Sequence, residues 1–299
     1  MSFGADAAWK IELQEAERII NKAIDLGINF FDTANVYSRG RSEEILGRCL
    51  EGRRDDVVVA TKVRGVMGDG PNDSGLSRRH IMQQIKASLG RLQMDHLDLY
   101  QIHWWDHATP IEETLRTMND VVRMGLTHYI GASGIQAWQF QKALYASEML
   151  GLERFVSMQN HYNLMYREDE REMIPLCKNE GIAIIPWSPL ARGYLTGKYK
   201  RGEKPNTVRY QSDPAFIEAR YIQPNFDILD AVEAVAKEKE VSPAQIALAW
   251  MLHKDVTTPI VGATKVSHIE EAAASVDVKL NDDDMKKLEA SYKPGPVIV

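Results

Sequence analysis

The sequence contains little of several features that would place it in a special class of protein. Only two of its 299 residues are cysteines, Cys49 and Cys177, and both fall in helical patterns. No disulfide framework is therefore expected, and a reducing, cytoplasmic setting is favoured. We find no apolar run long enough to span a membrane, and no signal peptide. The formal net charge of −6 argues against nucleic acid as a partner, because binding to phosphates requires clustered lysine and arginine.

Glycine-rich phosphate-binding motifs are also missing. A doubly wound dinucleotide-binding sheet should show Gly-x-Gly-x-x-Gly between its first strand and helix. The only glycine-dense stretch, "GVMGDG" at 65–70, has the wrong spacing, and no Walker A motif occurs. A nucleotide-binding domain of either of these two types is therefore disfavoured.

What the chain does contain is a regular alternation of two patterns. Short apolar runs rich in β-branched residues predict strands at 28–31, 57–60, 97–102, 128–131, 155–158, 182–186 and 258–261. Apolar residues recurring every three or four positions predict helices at 13–26, 42–50, 77–92, 111–124, 137–150, 170–179 and 227–254. Near-continuous apolar strands between amphipathic helices indicate a parallel sheet covered by helices.

Seven such units without a break in composition favour a single α/β domain over residues 1–299, a (β/α)8 TIM barrel. The segment "MSFGADAAWKIE" at 1–12 is too short and too polar to hold a full first strand. Either the barrel is incomplete, or residues 1–4 are the tail of a first strand that is truncated at the N-terminus. A sheet that lacks one strand would have an unpaired edge.

Polar or aromatic residues follow the predicted strands, and in such a barrel the carboxyl ends of the strands carry the active site. In chain order they are Asp32, Lys62, His103, Ser133, Gln159 with Asn160, and Trp187 with Ser188. Each has an ordinary alternative role, as a cap, a solvated loop charge or a structural histidine. Their convergence on one rim favours a functional site.

The first of these residues suggest proton transfer. Tyr37 lies five residues after Asp32, and a tyrosine hydroxyl normally titrates near pH ~10. The ammonium group of Lys62 is expected to lower the pKa of Tyr37, while Asp32 keeps Lys62 charged. His103 could orient a carbonyl oxygen. Together these four residues predict a site that gives a proton to an alkoxide forming from a carbonyl.

Several stretches of the chain together resemble a known family. The stretches that carry the resemblance are "GINFFDTANVY", "VVVATK", "QIHWWD", "YIGASG", "SMQNHYNLMYR", "IPWSPLARGYLTGKY" and "PIVGATKVSHIEEA". In this order they are similar to the aldo-keto reductase superfamily, and most of all to its bacterial and fungal aryl-alcohol-dehydrogenase-like branch. The resemblance covers essentially the whole chain.

The resemblance implies NADPH-dependent reduction of aldehydes or ketones, with Tyr37 as the general acid, Asp32 and Lys62 tuning it, and His103 orienting the carbonyl. It places Ser133, Gln159 and Asn160 on the nicotinamide carboxamide and Trp187 against the ring. Near the pyrophosphate it implies Ser188, Pro189, Leu190, Arg192 and Lys198. At the adenosine end it implies Gly262, Thr264, Lys265, His268 and Glu271, with Lys265 facing the 2′-phosphate.

Three positions depart from the usual pattern of the family. Gly134 stands where a side-chain amide is common, which predicts the loss of one nicotinamide contact. Thr264 and Ala272 stand where Arg and Asn are frequent. A single lysine, Lys265, reads a 2′-phosphate less specifically than a bidentate arginine, so the preference for NADPH over NADH is the weaker part of the prediction.

Two other classes of function remain alternatives. The potassium-channel β subunits of the same superfamily are cofactor sensors with little turnover, and they tend to lack the histidine that this chain keeps at 103. A metal-dependent hydrolase is suggested by "HWWDH", with His103, Asp106 and His107 as ligands, but the further ligands typical of such sites are not evident. No metal is therefore expected, and His128 and His161 are expected to be structural or pocket-lining.

The substrate is only broadly constrained. Trp104, Trp105, Trp9 and Tyr162 favour a flat carbonyl compound such as an aromatic aldehyde. A predicted irregular stretch at 197–226 carries Lys198, Lys200, Arg201, Lys204, Arg209 and Arg220, which suits either an anionic ligand or a solvated lid. The sequence favours neither a monomer nor a homo-oligomer.

Overall fold

The computed structural model describes residues 2–4, 6–203, 206–212, 226–254 and 256–297. Within these residues a parallel sheet of six strands runs in the order β1-β2-β3-β4-β5-β6. The strands are β1 (Phe30–Asp32), β2 (Val58–Val63), β3 (Leu97–Ile102), β4 (Thr127–Ser133), β5 (Phe155–Gln159) and β6 (Ala183–Ile184). Parallel strands in sequential order, joined through helices, form a (β/α)8 barrel, which confirms the predicted fold class.

Helices cover the outside of the sheet. They are α1 (Leu13–Asp25), α2 (Arg41–Cys49), α3 (Arg78–Leu92), α4 (Ile111–Arg123), α5 (Ala137–Leu150), α6 (Met173–Glu180), α7 (Val208–Ser212), α8 (Phe226–Glu238), α9 (Pro243–Leu252), α10 (Val266–Ala274) and α11 (Asp282–Glu289). None of the helices in the described residues has both the length and the apolar content needed to cross a bilayer.

The predicted helix at 227–254 is two helices, α8 and α9. Glu240 has a left-handed backbone, with φ of 55°, which interrupts the helical path. Ser242 then caps α9: its hydroxyl accepts the N–H of Gln245, and the Gln245 side chain accepts the N–H of Ser242. This capping box, followed by Pro243, starts a new helix. The helices α10 and α11 were not predicted from the sequence.

The sheet is curled, as its interior contacts show. A buried cluster inside the barrel joins Ala60 of β2, Leu99 of β3 and Ile185, with Phe30 of β1 packed against it. Ile185 follows the last strand in the sheet order, so it can reach the first three strands only if the sheet curves back. The larger apolar core lies between the outer face of the sheet and the helices.

The predicted seventh strand, at 258–261, is a single bridge. Thr257 donates its N–H to Ile184 O (2.9 Å), Ile260 donates to Pro186 O (2.8 Å), and Ile260 pairs with Trp187 in parallel. Between this segment and β1, helix α10 packs on helix α1. Ile19, Ala23, Ala263 and Ile269 form the apolar contact, so helices hold this side of the ring together.

The N-terminal residues lie near the same side. Phe3 forms a parallel bridge with Ile11, supported by hydrogen bonds from Gly4 N–H to Ile11 O and from Ile11 N–H to Ser2 O. The tail expected at 1–4 is thus a local loop in the part of the chain that the structure describes, which leaves out Met1. Ser2 lies beside Gly262, where a Cβ would be 3.2 Å from the Ser2 hydroxyl.

Two helical glycines provide a test of the packing between α2 and α3. A Cβ on Gly47 would lie 2.3 Å from Leu92 O, whereas a Cβ on Gly90 would meet no atom within 4 Å. We expect Gly47→Ala to lower the free energy of unfolding by about 1–3 kcal/mol through overpacking. Gly90→Ala should raise it by roughly 0.5–1 kcal/mol through helix propensity. Urea denaturation of both variants is the measurement, and effects of the same sign would contradict this packing.

Candidate active site

The strand-end residues predicted from the sequence come together at one end of the barrel. Asp32 ends β1, His103 directly follows β3, Ser133 ends β4 and Gln159 ends β5. Lys62 lies inside β2, aligned with Gln101 of β3, and is fully buried. The alternative of a solvated loop charge at Lys62 is therefore wrong. Asp32, Lys62, His103 and, as described below, Tyr37 share one site; these are the four residues expected to carry proton transfer.

A buried ion pair joins Asp32 to Lys62. The Lys62 ammonium bonds to Asp32 Oδ2 and donates to Thr33 O at 2.9 Å. Asp32 Oδ1 accepts hydrogen bonds from the side-chain amides of Gln101 (3.0 Å) and Gln159 (2.9 Å). Burial by itself would lower the pKa of Lys62, but the Asp32 carboxylate and Tyr37 raise it above its usual value. Lys62 is therefore a fixed ammonium ion.

Tyr37 reaches back to this pair from a 3-10 turn, Tyr37–Gly40. Its hydroxyl lies 3.5 Å from Nε2 of His103, and Lys62 Nζ lies 5.1 Å from the centroid of its ring. Burial raises the pKa of Tyr37, the Lys62 ammonium lowers it, and the Asp32 carboxylate raises it again. Lys62 thus lowers the pKa as expected, but burial outweighs it, and the net pKa is above the usual value. Tyr37 holds its proton at neutral pH.

His103 is neutral and held by an aromatic stack. Burial, and then the Lys62 charge, place the pKa of His103 well below its usual value. The Trp104 ring stacks on the imidazole at 3.7 Å with an 8° angle between the planes. Gly134 makes this possible, because a Cβ there would lie 2.6 Å from Cδ1 of Trp104. The glycine that departs from the family pattern thus leaves room for Trp104.

Four residues that the sequence analysis missed, Phe3, Asp6, Lys10 and Ser38, position the Tyr37 turn. Ser38 has a left-handed backbone, with φ of 49°. Its hydroxyl lies 2.8 Å from Phe3 O and 2.8 Å from the Asp6 carboxylate, and Lys10 donates to it at 3.0 Å. No local sequence signal pointed to these contacts across about thirty residues. Gln101, by contrast, shares a strand face with His103 and could have been found from the two-residue alternation.

Next to the proton-transfer residues lies a group suited to an amide. Asn160 is buried and donates Nδ2–H to Asp169 at 2.7 Å, but no donor in the described residues reaches its Oδ1. Trp187 is partly exposed and stacks on His161 at 4.2 Å, and His161 stacks on Tyr166 at 4.3 Å. An unpaired buried acceptor beside a supported indole ring fits a planar carboxamide-bearing ring such as nicotinamide.

The turn after Trp187 is shaped by left-handed residues. Ser188, Ala191 and Arg192 have φ between 46° and 57°, and Gly193 has φ of 99°. The carbonyl of Ser188 accepts a hydrogen bond from the Asn163 side chain at 2.9 Å. Pro189 is buried, and Leu190 packs partly on the core.

Basic side chains meet where α10 begins. Burial lowers the pKa of His268, Lys198 and Lys265 lower it further, and Glu271 opposes them, so these charges lie near one another. Lys265 immediately precedes α10, and His268 Nδ1 accepts from the N–H of Thr264 at 3.4 Å. A helix N-terminus with lysines beside it attracts phosphates. Lys198, expected at the pyrophosphate, thus lies near His268, Lys265 and Glu271, expected at the adenosine end.

Several candidate residues have other roles. Tyr162 is fully buried, donates to Glu170 and lies beside Trp250. Trp105 packs near Trp138 of α5, and Trp9 stacks under Arg209 at 3.6 Å. Trp104, by contrast, stacks on His103 in the site.

In its described part, the basic stretch at 197–226 contains the helix α7 and so is not irregular throughout. Arg201 pairs with Asp227 and Asp230, and Arg209 stacks on Trp9, so both are engaged within the protein. Lys204 and Arg220 lie outside the described residues.

The metal-hydrolase alternative lacks a supporting geometry. Asp106 accepts hydrogen bonds from Leu76 N–H, Ala108 N–H and Thr109, so it organises its own loop. The ligand atoms of His103, Asp106 and His107 do not converge among the residues that the structure describes.

Comparison with known proteins identifies the family of the chain. The chain matches the Aldo/keto reductase family over residues 1–293. It belongs to that family. It is 41% identical to a provisionally named aryl-alcohol dehydrogenase of Schizosaccharomyces pombe, over 99% of both chains. It is 40% identical to the versiconal hemiacetal acetate reductase of Aspergillus parasiticus, over 96% of this chain and 89% of the relative.

A third relative represents the alternative function. A provisionally named voltage-gated potassium channel β subunit of Arabidopsis thaliana is 40% identical, over 93% of this chain and 87% of the relative. The family and the reductases among its relatives make this chain an oxidoreductase of the aldo/keto reductase type, and the family uses nicotinamide cofactors.

Asp169 gives a pH-dependent test of the Asn160 pocket. Burial raises its pKa to about 7, against the lowering effect of the Asn160 hydrogen bond. The native state therefore binds a proton that the unfolded chain has lost between pH ~4 and ~7, so stability from this group falls as pH rises through that window. Asp169→Asn keeps a hydrogen-bond acceptor but does not ionise. Relative to the variant, the wild type should lose a few kcal/mol between pH ~4 and ~8.

Chemical denaturation at each pH measures this difference. Asp25→Asn, at an exposed carboxyl at the end of α1, is the control variant. A difference between wild type and Asp169→Asn that is constant with pH would contradict the raised pKa.

Proposed function

We propose that this protein reduces aldehydes or ketones to alcohols with NADPH, and that Tyr37 supplies the proton. The observation that carries the proposal is the buried Asp32–Lys62 pair beneath a protonated Tyr37, whose hydroxyl lies 3.5 Å from Nε2 of the neutral His103. A carbonyl oxygen placed between Tyr37 and His103 would meet one proton donor and one polar nitrogen. This is the arrangement that reduction of a carbonyl requires.

The roles of the four residues follow from their charge states. Tyr37 donates its hydroxyl proton to the carbonyl oxygen as negative charge develops there. Lys62 lies close enough to stabilise the resulting phenolate, and Asp32 holds Lys62 in place while balancing its charge. His103 orients the carbonyl oxygen. When bound, the reduced nicotinamide supplies a hydride to the carbonyl carbon.

Residues that would hold the cofactor surround this centre. Asn160 Oδ1, Ser133 and Gln159 would bind the carboxamide, and Trp187 would contact the ring. The Ser188–Arg192 turn and Lys198 would bind the pyrophosphate, and Gly262, Thr264, His268 and Glu271 would contact the adenosine. Lys265 would pair with a 2′-phosphate. Gln159 already donates to Asp32, so it would link the cofactor to the ion pair.

An aromatic aldehyde is the substrate class that we favour. Trp104 is 38% exposed while one face of its ring covers His103. A flat apolar substrate could pack on its remaining surface as its carbonyl enters the site.

The alternative, a cofactor-binding sensor with little turnover, is favoured only by the potassium channel β relative. His103 and Tyr37 are both present and in contact here, which supports turnover. Binding of NADPH without reduction of any aldehyde in a panel would favour the sensor.

Replacement of Tyr37 tests the proton donor. We expect Tyr37→Phe to lower kcat for aldehyde reduction by about 10²–10⁴-fold, because it removes the general acid and keeps the ring. Affinity for NADPH should stay within about twofold. The matched control is Tyr145→Phe, at an exposed tyrosine of α5, which should keep full activity. Retention of kcat by Tyr37→Phe would rule out this role.

Quenching of tryptophan fluorescence tests the cofactor contacts. NADPH should quench the emission saturably, and Trp187→Phe should remove most of the change.

Lys265→Gln should weaken NADPH binding by roughly tenfold, equivalent to about 1.4 kcal/mol, and leave NADH binding unchanged. Lys142→Gln, on α5, is the control. An equal loss for both cofactors would contradict the assignment of Lys265 to the 2′-phosphate.

A further inference from the structure

Two histidines and an aspartate meet at the end of the barrel opposite to Tyr37. Asp98 is the second residue of β3, His128 is the second residue of β4, and His96 precedes β3. Leu97 pairs with Thr127 in the parallel register, so the amino ends of these two strands are adjacent. One ring nitrogen of each histidine and one carboxylate oxygen of Asp98 lie within 4.8 Å of one another.

The imidazole of His96 is oriented by a carboxylate. Its Nδ1 lies 2.6 Å from Oδ1 of Asp95. With Nδ1 donating to Asp95, the lone pair of the neutral ring is on Nε2. A carboxylate behind the imidazole is the usual support of a metal-binding histidine, because it fixes the tautomer and makes the ligand more basic. The ring of His128 lies 4.6 Å away at an angle of 48°.

Asp98 is also held in place and keeps one oxygen available. Its Oδ2 accepts the N–H of Val59 at 2.7 Å and pairs with Arg54 at 2.8 Å. We find no hydrogen bond to Oδ1 within the described residues. Arg54 donates as well to Val57 O and His96 O, so one guanidinium group fixes both the carboxylate and the backbone of a neighbouring ligand.

The charge of Arg54 decides which ions this cluster could bind. A guanidinium at 2.8 Å from Asp98 offsets most of the negative charge that would attract Mg²⁺ or Ca²⁺, which are bound mainly by oxygens. Metal binding through imidazole nitrogens does not depend on the negative charge of Asp98, and imidazole favours the borderline transition metals. Competition within the chain is small, because Cys49 and Cys177 are both buried and burial raises the pKa of each thiol to about 12.

We propose that His96, Asp98 and His128 form a binding site for a divalent transition-metal ion such as Zn²⁺, Co²⁺ or Ni²⁺. Three protein ligands of the N, N, O type leave the remaining coordination positions to water. His128, which was expected to be structural or pocket-lining, is instead exposed and would be the ligand contributed by β4. The bound ion would join the amino ends of β3 and β4 and stabilise the folded protein without contacting the reductase site.

The test uses the whole protein, freed of metal by a chelator. Addition of Co²⁺ should produce visible d–d absorption that saturates at one ion per chain. At about a hundredfold excess over its Kd, Zn²⁺ should raise the midpoint of thermal unfolding by on the order of 5 °C. His128→Ala should bind Co²⁺ at least tenfold more weakly and lose the thermal shift. Without metal it should keep the wild-type midpoint, because the side chain is exposed.

His107→Ala is the matched control, since His107 is also an exposed histidine next to an aspartate. It should bind Co²⁺ like the wild type. The proposal is overturned if millimolar Co²⁺ gives no saturable absorption. It is also overturned if His128→Ala binds as well as the wild type, or if Mg²⁺ gives the same thermal shift as Zn²⁺. Neither readout depends on catalysis, so the result stands independently of the proposed reductase activity.

Discussion

The site depends on one buried ion pair, between Asp32 and Lys62. Two charges in the interior are costly unless each finds an opposite charge and hydrogen bonds. Here the carboxylate of Asp32, on β1, accepts hydrogen bonds from the Lys62 ammonium on β2 and from the side-chain amides of Gln101 on β3 and Gln159 on β5. Four strands must therefore keep their curvature and register for the pair to remain satisfied. The contacts that compensate for burial of these two charges also place the polar groups of the site together at one end of the barrel.

The protonation states around the pair follow from burial and charge. Burial disfavours a positive charge on His103, and the Lys62 ammonium adds to this effect, so the pKa of His103 is well below its usual value and the ring stays neutral. Burial outweighs the lysine at Tyr37 and keeps the hydroxyl protonated. A protonated acid, a neutral imidazole and a fixed cation thus lie within a few ångströms, which is a suitable arrangement for giving up a proton when an alkoxide forms.

Contacts from distant parts of the chain complete the arrangement. The turn carrying Tyr37 has left-handed residues and is held by Phe3, Asp6 and Lys10 from the N-terminal segment. On the other side, Gly134 lets Trp104 lie flat on His103. The acid and the imidazole are therefore each supported by a residue outside the group that reacts. Trp187 is supported in the same way by His161 and Tyr166.

The sequence by itself determined the barrel, the order of the six strands β1–β6 and of the helices α1–α6, and the identity of the residues at the strand ends. It could do so because strand and helix periods and strand-terminal positions are local properties. It placed Lys62 after β2 rather than inside it, joined α8 to α9, and expected a lowered pKa for Tyr37. Only the tertiary structure decided these points, together with the Ser38 anchor and the stack on His103. Burial, and contacts between residues far apart in the chain, set charge states and side-chain positions, and neither is encoded in a local pattern.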